Sequence, residues 1–190
     1  MTLNASDVTA CIVTRGNLDL QPILDTLLFP YVIVYDNSKN TDVHTAGRYL
    51  AIQQAKTAVV FCQDDDVIVT PEQQQTLLDH YHPGWIVANQ ADGHQPPDFE
   101  PLTFLGWGSV FDRDLPTAAH TRWRDAGHSV SDLGYLMVGC DIAFQLLTPT
   151  LRLDLGQNHR PEAFGPDRAY RDARFQGWKW DAYEKAMALR

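Results

Sequence analysis

"VVFCQDDDVIV", residues 59–69, sets three aspartates, Asp64, Asp65 and Asp66, between two runs of β-branched and aromatic residues. Like charges side by side repel, and a plain strand has no use for them. The run reads as a buried strand that ends in a place for something positive: a divalent cation, or a cation that holds a phosphate. If the backbone stays extended, residues i and i+2 share a face, so Asp64 and Asp66 point one way and Asp65 the other. Two carboxylates in that relation are hard oxygen ligands suited to Mg2+ or Mn2+, which keep several waters and complete their shells with substrate phosphates. An acidic loop or a helix-capping cluster is the plainer reading of the same residues.

Upstream of this stretch the pattern alternates. "TACIV" (9–13) and "YVIVY" (31–35) read as buried strands, and "AVVFC" (58–62) is the strand that runs into the aspartates. Between the first two, Asp19 can cap a helix whose apolar positions Leu20, Ile23, Leu24, Leu27 and Leu28 follow helical spacing. Thr41 can cap a second helix running to Lys56. Downstream, Thr70-Pro71-Glu72-Gln73 is a capping box with proline at the first helical position, opening a helix to about His82. "WIVAN" (85–89) is a fourth strand. A βαβαβαβ order predicts an α/β fold with an open, mostly parallel, Rossmann-like sheet and helices on both faces. Ligands of such sheets bind outside the carboxyl ends of the strands. Three polar clusters fall there: Thr14-Arg15-Gly16-Asn17, Asp36-Asn37-Ser38 and Asp64-Asp65-Asp66.

The second half is patterned differently. Residues 91–101 are Pro/Gly-rich and read as a loop; residues 102–112 read as a strand interrupted by Gly106 and Gly108, which allow another backbone or a ligand to come close. A helix is expected from Asp114 to about Gly127, another over 138–147 and a strand over 151–155. The whole chain of 190 residues is expected to be one domain.

The net charge of -9 comes from the first half. Residues 1–100 carry 4 basic and 13 acidic side chains, and residues 101–190 carry 11 of each. An acidic half suits a metal, and arginines on the other half suit an anionic partner. No apolar run approaches the ~18 residues needed to span a bilayer, so no membrane span is expected. The N-terminus lacks the basic start and apolar stretch of a signal peptide. Cys11, Cys62 and Cys140 sit in apolar contexts and read as buried thiols. Together these features predict a cytoplasmic protein, in the host cytoplasm if its source is viral.

"TACIVTRGN", "VIVYDNS" and "AGRYLAIQQAKTAVVFCQDDDV" taken together resemble the donor half of GT-A-fold glycosyltransferases, most closely the inverting family 2 group, over residues 8–90. The resemblance implies a nucleotide-sugar-binding half at 8–90 and an acceptor-binding, catalytic half at 91–190. It implies that the end of the first strand (Thr14, Arg15), the acid after the second (Asp36) and Arg48 hold the nucleoside-diphosphate sugar, UDP-linked, with Asp64 and Asp65 of the DXD motif. "LGWGSVFDRD" (105–114) resembles the strand beneath the donor sugar, which places Trp107 and Gly108 there. Asp66 and Asp64, with His159 as a late ligand, would hold Mn2+ or Mg2+. "VGCDIAF" (138–144) stands where the family has a Glu-Asp pair whose aspartate is the catalytic base. Asp141 takes that position, and Cys140 stands in place of the glutamate. The acceptor would be a hydroxyl of a carbohydrate or small molecule, or of a hydroxymethylated DNA base. For the last, Arg113, Arg122, Arg124, Arg160, Arg168, Arg171 and Arg174, with Trp178 and Trp180, could supply a basic, stacking surface.

Two other classes share parts of this pattern. Phosphatases of the haloacid dehalogenase type also have D-x-D after a strand, but after the first strand rather than the third. A nucleotide-binding module without turnover would not need Asp141.

Overall fold

The computed structural model describes residues 3–90, 102–156, 159–160 and 171–190. The expected loop at 91–101, save its neighbour Leu102 onward, and Arg168 lie outside them. Six strands form one sheet: β1 (Val8–Thr14), β2 (Tyr31–Asp36), β3 (Val59–Asp64), β4 (Ile86–Asn89), β5 (Trp107–Asp112) and β6 (Thr150–Leu153), in the order β2-β1-β3-β5-β4-β6. The helices are α1 (Gln21–Leu24), α2 (Gly47–Gln53), α3 (Pro71–Asp79), α4 (Leu115–Asp125), α5 (Cys140–Leu146) and α6 (Phe175–Ala188).

The expected α/β sheet is present and mostly parallel. β1 runs parallel to β2 and β3, and β4 parallel to β6. One strand differs: β5 lies antiparallel between β3 and β4. The two halves of the chain are thereby interleaved in one sheet. The inversion matters for position, because the start of β5, not its end, reaches the rim where β1 and β3 finish.

Strand alternation divides the core into two layers. Cys11, Val60, Cys62, Ile86, Ala88 and Phe111 point into the layer that contains residues of α2, α4, α5 and α6. Val8, Ala10, Val59, Phe61, Val87 and Val110 point into the layer closed by Leu77 and Leu78 of α3. All seven residues of β1 are buried, as a central strand covered on both faces requires. The three cysteines are free and buried, and burial pushes the Cys11 thiol up to about 12.

Local signals explain most elements. The capping box at the start of α3 forms as the sequence implies: Gln73 N–H donates to Thr70 Oγ1 and Thr70 N–H to Gln73 Oε1. The expected long helix after Asp19 is instead the single turn α1. Only Ile23 of that turn is buried, while Leu24 and Leu28 stay exposed. Buried Gln74 of α3 competes for this segment: it accepts from Leu28 N–H and donates to Thr26 O. The helix expected from Thr41 starts later, at Gly47. The preceding loop is held by Asn37, whose amide donates to Thr14 O and His44 O and accepts from Val43 N–H.

A π-helical turn at Tyr135–Gly139 precedes α5. Such turns put one extra residue into a helix and are frequent at functional sites. α6 packs against this turn, with the Trp178 ring lying over Gly134, where a Cβ would overlap it. Among the described residues no helix is long and apolar enough to cross a membrane.

Candidate functional site

A cleft of about 920 Å3 opens over the carboxyl ends of β1 and β3, the start of β5 and the N-terminal turn of α5. Its lining includes Thr14, Arg15, Arg48, Asp64, Asp65, Asp66, Trp107, Asp141 and His159. Nine of the positions singled out from the sequence thus meet on one cavity, although they come from segments spread over some 145 residues. Asp36 and Gly108 are not in the lining.

The aspartate run is not extended throughout. β3 ends at Asp64, and Asp65 and Asp66 form a turn. The expectation that Asp65 faces away from a shared Asp64/Asp66 face is therefore corrected. Asp65 is 5 % exposed and reaches back to β1, accepting from Thr14 Oγ1 at 2.7 Å and from Arg15 N–H at 3.3 Å. The turn is braced from a distant part of the chain. Buried Arg160 donates its N–H to Asp66 O at 2.9 Å and its Nη1 to Asp65 O at 3.2 Å and Asp19 O at 2.7 Å. Its neighbour His159 bridges Val67 in antiparallel pairing.

The positive group that the aspartates call for is partly supplied by the chain. Arg48 Nη2 donates to Asp64 Oδ1 at 2.6 Å, and Arg48 Nη1 lies 3.1 Å from Asp141 Oδ2. The next residue on α2, Tyr49, donates its hydroxyl to Asp141 Oδ1 at 2.6 Å. One turn of α2 thus ties the end of β3 to the start of α5. Tyr49 was not marked by the sequence reading; its only signal was its place beside Arg48. Burial is the main cause that pushes the Asp64 carboxyl up, to about 7; Asp66, Asp141 and Asp65 add to it, and Arg48 opposes it. A carboxylate so placed gains from a further cation.

Gly106, rather than Gly108, serves the aspartates. A Cβ on Gly106 would overlap the Asp64 carboxylate, and Gly106 O accepts from Asp64 N–H at 2.8 Å. Gly108 is the extra residue of a β-bulge: Cys62 pairs with Ser109 and Gln63 with Trp107, which skips Gly108. Its φ is +101°, and a Cβ there would press on Val69 and Leu77, away from the cleft. Gly106→Ala should therefore displace Asp64, and if Asp64 ligates Mn2+ the change should weaken its binding about tenfold or more, as loss of an outer-shell support does. Gly108→Ala should instead cost about 1–2 kcal/mol of stability, from left-handed backbone strain, with Mn2+ affinity kept. Mn2+ titration and thermal melts of the two variants separate these outcomes.

The remaining expected residues fall as follows. Trp107 is 9 % exposed, stacks on Phe104 with centroids 4.0 Å apart and meets the His159 ring edge-on at 5.0 Å. It belongs mainly to the core and shows only part of its ring to the cleft. The Asp36 carboxylate accepts from Ser38 N–H and Oγ and pairs with Lys39, and the Ser38 and Lys39 contacts hold its pKa down. The member of that cluster that lines the cleft is Asn37, together with Asp42, His44 and Thr45 of the loop it holds. His44 is the one non-glycine with a left-handed backbone among the described residues, at φ 52°.

Most of the arginines proposed for nucleic acid have local partners. Arg113, Arg124 and Arg174 pair with Asp114, Asp125 and Asp172, and Arg122 donates to Leu189 O. Arg160 is buried behind the aspartate turn. Arg171 and Lys179 reach the cleft itself. Trp178 lies close to Gly134, and the Arg174 guanidinium sits over its ring at 4.7 Å.

Asp64, Asp66 and His159 line the open cleft, but among the described residues no group of three or more His, Cys, Asp or Glu side chains is placed to hold a metal ion. Two carboxylates there could take Mn2+ or Mg2+ only with water and substrate phosphate completing its shell, and they do not make a closed structural zinc site. Compared with known proteins, the chain matches no family model and no curated protein.

Proposed function

We propose that this protein is a metal-dependent glycosyltransferase of the GT-A type. It would move a sugar from a nucleoside-diphosphate sugar, UDP-linked, to a hydroxyl acceptor with inversion at the anomeric carbon, in the cytoplasm. One observation carries the reading: the ends of β1 and β3 and the first turn of α5 bring Thr14, the Asp64–Asp66 run and Asp141 to one cleft. At about 920 Å3 that cleft falls at the upper end of the range for small-molecule sites, large enough for a nucleotide with a sugar attached.

In this reading Asp66 and Asp64, with His159, would hold Mn2+ or Mg2+, which would supply a Lewis acid and template for the leaving diphosphate. Thr14, Arg15 and the Asn37-held loop line the side of β1 and β2, where the nucleoside would lie. Asp65, which also lines the cleft, braces Thr14 and Arg15 at the end of β1. Asp141 takes the proton of the acceptor hydroxyl as that oxygen forms its bond to the anomeric carbon. Tyr49 and Arg48 fix the Asp141 carboxylate in place. Apolar Leu105, Val138, Ile142 and Phe175 also line the cleft. The acceptor class is a carbohydrate or small hydroxylated molecule. Arg113, Arg122, Arg124 and Arg174 have local partners, so the DNA base is kept only as the second acceptor.

Incubation of the protein and Mn2+ with a panel of nucleoside-diphosphate sugars tests the reading. Release of nucleoside diphosphate that rises with a hydroxyl acceptor and stops with chelator is the expected result. No release from any donor, with hydrolysis of a generic phosphate ester instead, would replace the transferase with a phosphatase.

A further inference from the structure

Arg48 is the most deeply set charge in the cleft, and the transfer chemistry above uses it only to fix Asp141. Its side chain is 3 % exposed. A buried guanidinium normally satisfies its rigid fork of five donors. Here only the bond from Nη2 to Asp64 is well formed; Nε and Nη1 are buried and make no hydrogen bond. Nη1 meets Asp141 Oδ2 through charge, at 3.1 Å. The guanidinium is therefore held by two carboxylates rather than by a complete set of hydrogen bonds, and it can lean toward either. Asp141 is also fixed by the Tyr49 hydroxyl, whereas Asp64 stands at the strand end against bare Gly106.

We propose that Arg48 is the resident counter-ion of the cleft: it holds Asp64 and Asp141 together in the metal-free protein, and a divalent cation arriving at Asp64 competes with it and leaves it to Asp141. The inference rests on Asp64 being a metal ligand. Its consequence is that Arg48 keeps the empty site folded and lowers its affinity for free metal. The ion is then held strongly only when a diphosphate adds its own negative charge. Arg48 is thus a positioning residue that ties metal binding to donor binding.

The experiment titrates Mn2+ alone, by calorimetry, into the full chain as wild type, Arg48→Met and Arg48→Lys, with thermal melts of each with and without Mn2+. An adjacent arginine shifts the proton affinity of an aspartate by about one to three powers of ten, and a competing metal ion feels the same field. Arg48→Met should therefore melt lower than wild type without metal, bind Mn2+ about tenfold tighter or more, and recover more of its melting temperature on adding Mn2+. Arg48→Lys, which keeps the charge but lacks a fork to span both acids, should fall between the two and serves if the methionine variant does not fold. Unchanged or weaker Mn2+ affinity in both variants would overturn the competition and leave the metal reading standing. If Mn2+ binds neither the wild type nor the variants, with or without UDP, the metal reading itself fails and the inference falls with it.

Discussion

Under the proposed transferase reading, Asp141→Asn is expected to lower sugar transfer by about 10²–10⁴-fold, the usual contribution of a general base. Asparagine keeps the shape and still accepts the Tyr49 hydroxyl, but it cannot take a proton at neutral pH. Arg48 keeps its bond to Asp64 at 2.6 Å, so the fold should survive the change. A modest loss of Mn2+ affinity should accompany it, because Arg48 then leans on Asp64 alone. Saturating Mn2+ separates the two effects: it should restore UDP binding and leave transfer slow. Turnover and UDP affinity measured side by side on wild type and variant decide the matter. Transfer at the wild-type rate would make Asp141 a structural partner of Arg48 and Tyr49. Asp125 pairs with Arg124, Asp132 accepts from Tyr135 N–H, and neither lines the cleft, so the base would then be sought among Asp42, His44 and Asp172, which do line it.

The second large effect concerns the aspartate turn. Asp66→Ala should abolish metal-dependent UDP binding, because the ion would lose one of its two carboxylates. Asp65→Ala should act differently from what an extended strand implies. Its carboxylate accepts from Thr14 Oγ1 and Arg15 N–H in a buried setting, and losing such an acceptor costs about 1–3 kcal/mol. The Asp65 variant should melt lower and bind Mn2+ nearly as well as wild type. Calorimetry and thermal melts of the pair give the answer. Equal loss of Mn2+ binding in both would mean that Asp65 is a ligand in its own right.

Local signals carried much of the fold. Runs of β-branched residues marked the first four strands, and Thr70-Pro71-Glu72-Gln73 marked the start of α3 because a capping box needs only four consecutive residues. What failed depended on distant parts of the chain. The helical pattern after Asp19 was cut to one turn by Gln74, nearly fifty positions later. The antiparallel insertion of β5 between β3 and β4 is a pairing choice that no window of sequence displays. The same division runs through the site. Asp64, Asp66 and Arg48 were legible because of their order around a strand. The turn of Asp65 toward Thr14 was not, since Arg160 sets it from 95 residues away. Gly106 and Gly108 look alike in "LGWGSV", and only the bulge opposite Cys62 and Gln63 shows which one faces Asp64.

If the aspartate turn holds a divalent ion, the cleft should bind a nucleoside diphosphate through it, and titration of UDP into the wild-type protein with Mn2+ and again with chelator tests this. Binding with Mn2+ that disappears with chelator, and that Asp66→Ala removes, is the result predicted here. UDP binding of equal strength without metal, or none under either condition, would contradict it.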